Sequence, residues 1–68
     1  MYYVLRKSGT SCDFVSRLPH DYDPRNFVSP GWEDPASHGA LRFDTEADAR
    51  RAKDGDPDGE SLSVEEIR

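Results

Sequence analysis

The sequence has a single cysteine, Cys12, so no disulfide can form within the chain. It has one isoleucine and only 12 Leu, Ile, Val and Phe residues among 68, which leaves material for one small core at most and excludes a multidomain enzyme. Its longest apolar run, residues 1–5, is far shorter than the roughly 20 residues of a membrane span and shorter than the apolar stretch of a secretory leader. A soluble, cytoplasmic protein is the expectation. Basic residues are also scarce, 9 against 14 acids, giving a net charge of -5. No basic stripe runs along the chain, so direct binding to a nucleic-acid backbone is not expected. Low aliphatic content with this charge leans towards disorder. Three Tyr, three Phe and a Trp lean towards a fold.

The acids are unevenly placed. Residues 1–43 carry five acids and five bases, whereas residues 44–66 carry nine acids against Arg50, Arg51 and Lys53. Arg outnumbers Lys seven to two, a usage common in bacterial and phage genes of high GC content.

Local patterns divide one domain, residues 1–68, into four stretches. In residues 1–18, Tyr2–Arg6 and Ser11–Leu18 are rich in aromatic and β-branched residues around a Lys7-Ser8-Gly9-Thr10 turn, which predicts a β-hairpin. Alternation puts Cys12, Phe14 and Leu18 on the inner face of the second strand and Asp13, Val15 and Arg17 on the outer one. Residues 19–39 hold four of the five prolines. There Asp23-Pro24 and Asp34-Pro35 each place a capping acid before a proline, predicting two short helical turns, with Gly39 ending the second. Tyr22, Phe27, Val28 and Trp32 would pin these turns to the sheet, Trp32 as core or instead as an exposed interface anchor.

In residues 40–53, Ala40–Phe43 reads as a third strand, followed by a helix capped by Thr45. Its acids fall in the first turn and its bases in the last, as the helix dipole favours, and Glu46 and Arg50 form an i,i+4 pair. Residues 54–68 form an acidic turn and a C-terminal element. Leu62 and Val64 alternate as in a strand, while Ser63-Val64-Glu65-Glu66 offers a capping box for a helical turn, the preferred reading. The expected fold is α+β: a three-stranded antiparallel sheet packed by one main helix. Tyr3, Leu5, Cys12, Phe14, Leu41, Phe43, Ala49 and Ala52 would form its interior.

Catalytic patterns are missing. There is no G-x-S-x-G elbow and no glycine-rich phosphate loop, and His20 and His38 lack partners at metal-ligand spacing. His20 beside Asp21 and Asp23 reads as a hydrogen-bonded loop, so no enzyme is expected. Asp54, Asp56, Asp58, Gly59 and Glu65 fit D-x-D-x-D-G-x5-E and resemble the calcium loop of an EF-hand, with carboxylates on alternate residues and a late glutamate. That resemblance implies calcium on Asp54, Asp56, Asp58 and Glu65. Ser61 stands where that family has its hydrophobe, Pro57 interrupts the loop, and no second loop exists to pair with; no cofactor is the favoured reading.

A short, acidic, cysteine-poor chain of this build also resembles the small acidic anti-CRISPR and DNA-mimic inhibitors of phages and mobile elements. The resemblance rests on size, charge and build, without a diagnostic motif. It implies a monomer that occludes the basic DNA-binding surface of a bacterial defence complex, such as a type I CRISPR surveillance complex. Asp48, Asp54, Asp56, Asp58, Glu60, Glu65 and Glu66 would stand in for phosphates, with Trp32 as a further contact. The third possibility is an accessory interaction domain that uses the aromatic, proline-rich segment.

Overall fold

The computed structural model describes residues 1–21 and 23–68. The expected contribution of Tyr22 lies outside the described residues. The N-terminal apolar run forms β1 (Tyr2–Lys7), the acidic second half supplies α1 (Glu46–Gly55), and β2 (Phe14–Val15), β3 (Phe27–Val28) and β4 (Leu62–Ile67) complete one antiparallel sheet of order β3-β2-β1-β4. The Cα radius of gyration, 10.5 Å, is close to the ~11 Å of a compact chain of this length.

The aromatic and β-branched residues of β1 lie between two partners. β4 pairs along its whole length, from Tyr2 with Ile67 to Lys7 with Leu62. On the other side β2 pairs through Arg6 and Phe14. The predicted third strand, residues 40–43, shrinks to one bridge between Tyr3 and Phe43. The fourth strand comes from residues 62–67, where the capping-box pattern predicts a helical turn instead. There β1 offers six residues of ladder, and Leu62 and Val64 fall under the helix, which a single helical turn could not match.

The sheet is buried on both faces. Leu5, Val15, Ala49 and Leu62 form the core beneath α1, with Tyr3, Leu41, Phe43 and Ala52 half-buried around them. Tyr2, Val4, Phe14 and Ala40 form a second core on the opposite face, with Cys12, Val28, Ala36 and Ile67 against it. Val15, expected to face outward, is fully buried beneath α1, while Tyr2 and Val4 are buried on the opposite face, over which the proline-rich connection folds with Val28 and Ala36.

Local capping agrees with the sequence. Asp23 accepts from Arg25 N–H (2.9 Å) ahead of the 3-10 turn Pro24–Asn26. Asp34 accepts from Ser37 N–H (3.2 Å), and Gly39 (φ 100°) ends the turn Ala36–His38. Thr45 caps α1 by accepting from Asp48 N–H (3.1 Å). Gly59 is demanded by close approach, since a Cβ there would lie 2.1 Å from the carbonyl oxygen of Lys53.

Candidate functional site

Three features carry the polar and aromatic residues that could act on another molecule. The first is the acidic half. In the first turn of α1 and just before it, each acid has an arginine: Glu46 with Arg50 (2.7 Å), Asp48 with Arg51 (3.5 Å) and Asp44 with Arg42 (3.8 Å). Glu65 faces Arg6 across the sheet (3.4 Å), and Glu66 meets Arg68 (3.4 Å). Asp54 and Glu60 are exposed and form no ion pair among the described residues. Asp58 is half-buried. Asp56, expected at the centre of the contact row, is turned inside. The row is thus reduced to Asp54 and Glu60 with Asp58 between them, beside paired charges.

The same placement divides the calcium set between surface and interior. Asp54 is exposed at the end of the helix, Asp56 is buried, and Glu65 lies on β4 against Arg6. Among the described residues no group of three or more His, Cys, Asp or Glu side chains is placed to hold a metal ion.

The second feature is the network that takes Asp56. Its Oδ2 accepts from the main-chain N–H of His20 (3.2 Å) and lies 3.0 Å from His20 Nδ1, while its Oδ1 accepts from Asp58 N–H (2.8 Å). Burial alone would raise the Asp56 pKa. The N–H of Asp58, the ring and main-chain N–H of His20 and the attraction of that ring outweigh burial and hold the carboxyl below its ordinary range. On the far side of the ring, Nε2 is 3.1 Å from Ser61 Oγ and 3.6 Å from Asp58 Oδ2. Asn26 donates to the His20 carbonyl (2.6 Å), and Phe27 meets the ring edge-on, 5.5 Å between centroids. His20 is only 1% exposed.

This corrects the reading of His20 as a loop residue tied to Asp21 and Asp23. Its partners stand 36 and 41 positions away, and no local signal marks them. Asp56, His20 and Ser61 follow the order of an acid–base–nucleophile relay. The electrostatics oppose that chemistry, because the adjoining depression is lined by Asp21, Asp56 and Asp58 with Pro19 and Pro57. Acyl transfer needs hydrogen-bond donors where negative charge develops, and carboxylates repel it. Ser61 also donates to the Asp58 carbonyl (2.9 Å). What the network does physically is tie the end of α1, the turn Gly59–Ser61 and the proline-rich connection together.

The third feature is Trp32. The core position allowed for it is not the one it takes, for its side chain is fully exposed. It projects from a turn in which Gly31 has φ 68° and Glu33 N–H donates to the Pro30 carbonyl (3.3 Å). The base of that turn is fixed: Pro35 is buried, and the Tyr2 hydroxyl donates to Asp34 and accepts from Ala36 N–H (3.3 Å). Ala36 and Val28 pack against the second core in the place of an indole. Trp32 instead edges a depression shared with Phe14, Pro35 and Ile67 and bordered by Glu33 and Arg68. Comparison with protein families, with characterised proteins and with solved structures finds no match to this chain.

Proposed function

We propose that the protein works by contact, as a protein-binding domain anchored by Trp32. The observation that carries this is the fully exposed indole on a turn whose base is held by Pro35, Asp34 and Tyr2. Tryptophan is among the residue types most enriched at the energetic centres of interfaces, and here it stands beside a depression that offers both apolar (Phe14, Pro35, Ile67) and charged (Glu33, Arg68) groups. A net charge of -5 favours a basic partner.

A second reading is supported by Asp54 and Glu60, exposed and outside any ion pair among the described residues. On this reading the protein is an acidic, anti-CRISPR-like inhibitor of phage or mobile-element origin. It would place Asp54, Asp58 and Glu60 against the DNA-binding surface of a bacterial defence complex, with a type I CRISPR surveillance complex as the target to test. Asp56, inside the fold, would position the turn without touching the partner.

Affinity capture from a bacterial lysate at low and high salt separates the two. Trp32→Ala should release the captured partner at both salt concentrations, a loss of about 2 kcal/mol or more for an interface anchor. Under the second reading the triple change of Asp54 and Asp58 to Asn and Glu60 to Gln releases it instead. Binding by the parent then falls steeply with salt, because exposed charges are screened beyond about 8 Å at physiological ionic strength. Retention of the same partners by Trp32→Ala overturns the first reading.

A further inference from the structure

We propose that the outer edge of β4 is a strand-addition site for an extended, basic segment of a partner protein. This goes beyond the Trp32 reading and does not depend on it. In the order β3-β2-β1-β4, β4 is an outer strand of six residues, while the strand at the opposite side of the sheet has only two. The direction of its hydrogen-bonding groups follows from β1. Tyr3 exchanges both main-chain bonds with Phe43 (2.8 and 2.9 Å), and Lys7 N–H donates to Asp13 (2.8 Å), so the odd positions of β1 turn away from β4. Ser8 N–H donates to Ser61 (2.8 Å), so the even positions turn towards it. Tyr2, Val4 and Arg6 stand opposite Ile67, Glu65 and Ser63. In an antiparallel pair, directly opposed residues either both bond each other or both point away. Ser63, Glu65 and Ile67 therefore bond β1, and the N–H and C=O of Val64 and Glu66 point outward. No bond from those groups to any described residue is present. Leu62 N–H is already spent on the Gly59 carbonyl.

Outward pairs on alternate residues form the ladder that a peptide needs to extend a sheet. The side chains along the edge select the occupant. Glu65 and Glu66 keep 39% and 35% of their side chains exposed despite Arg6 and Arg68. Val64 lies on the face covered by α1, beside the core of Leu5, Val15 and Ala49. Cross-strand neighbours stand about 4.5–5.5 Å apart between Cβ atoms. An antiparallel segment therefore fits best with two consecutive Lys or Arg residues opposite Glu66 and Glu65, followed by an apolar residue opposite Val64. A second copy of the chain is the wrong occupant, since each copy brings a net charge of -5 and the same two glutamates.

The test is amide exchange and chemical-shift mapping on the full chain, titrated with a synthetic nine-residue Thr/Val peptide with Lys-Arg-Val at its centre. A matched peptide with Glu-Glu-Val at its centre is the control. The basic peptide should slow exchange at the amides of Val64 and Glu66 about tenfold, shift the resonances of residues 62–67 and give cross-strand contacts at Val64; the acidic peptide should do none of these. Glu66→Pro removes an outward donor and leaves the ladder to β1 intact. It should fold and bind the basic peptide about five- to tenfold more weakly, the worth of roughly one hydrogen bond. The proposal is overturned if the basic peptide leaves exchange at Val64 and Glu66 unchanged, if both peptides protect them equally, if the shifts centre on Trp32, or if the chain dimerises through this edge. The exchange measurement on the parent chain decides even if Glu66→Pro fails to fold.

Discussion

At the scale of single residues, two glycines four positions apart have opposite roles. Gly55 closes the last turn of α1 with nothing within 4 Å of where a Cβ would stand, whereas at Gly59 that atom would meet main-chain oxygen of Lys53 at 2.1 Å. A helical glycine in open space costs roughly 0.5–1 kcal/mol relative to alanine, so Gly55→Ala should raise the unfolding free energy by about that much, read as a higher urea midpoint. Backbone does not yield as a side chain does. Gly59→Ala should therefore destabilise the fold by about 3 kcal/mol or more, within reach of unfolding a small domain. Equal midpoints for the two variants would refute the tight packing of the turn against the helix end. In the sequence Gly59 looked like the bend of an ion-binding loop. What requires it is the carbonyl of Lys53, a neighbour that becomes visible only once the chain has turned back on its own helix.

At the scale of elements, what could be read in advance was what depends on near neighbours. The cap of α1, its charge order and its Glu46–Arg50 pair all lie within the helix and its capping residue, and the structure contains each of them. Thr45→Ala should cost about 1 kcal/mol and fray the first turn, which the amide exchange of Asp48 would report. A variant as stable as the parent would show that the side-chain cap is idle. β4 was harder to read, because Ser63 and Glu66 satisfy a helix-start pattern while Leu62 and Val64 satisfy a strand pattern. The deciding term is the ladder offered by β1, 61 positions away in the Val4–Glu65 pair and therefore silent in local sequence. The candidate site divides in the same way. Excess acid after residue 43 was legible as composition. Which acids stay open to a partner depends on His20 and Arg6, both remote in sequence, and so was not. Sequence leaves Trp32 open between core and exposed anchor for a related reason, since the packing of Ala36 and Val28 on the second core follows from the path of the whole connection.

At the scale of the whole molecule, a sheet covered on both faces lets 68 residues bury two clusters, but each is thin, and polar ties join the parts. The His20–Asp56 tie links the connection to the end of the helix, and the Tyr2–Asp34 tie holds the connection on the second core. Both set limits in pH. The folded state holds Asp56 below the ordinary carboxylate range, so its contribution is complete above about pH 4, the value of an unfolded aspartate, and is lost as pH falls through the lower folded value. Burial first, and then the hydrogen bond to Asp34, raise the Tyr2 phenol above its ordinary value. Its contribution is complete below about pH 10 and disappears as pH rises through the higher folded value. Stability should form a plateau between these limits. Asp56→Asn should lower the plateau by about 1.5–3 kcal/mol, the usual worth of hydrogen bonds to a charged group, and should flatten the acid limb while leaving the alkaline limb in place. Tyr2→Phe should do the reverse, flattening only the alkaline limb. Urea midpoints measured across pH for the parent and both variants test this. An acid limb as steep in Asp56→Asn as in the parent would mean that acid sensitivity arises from the paired surface carboxylates, and that the buried tie does not govern it.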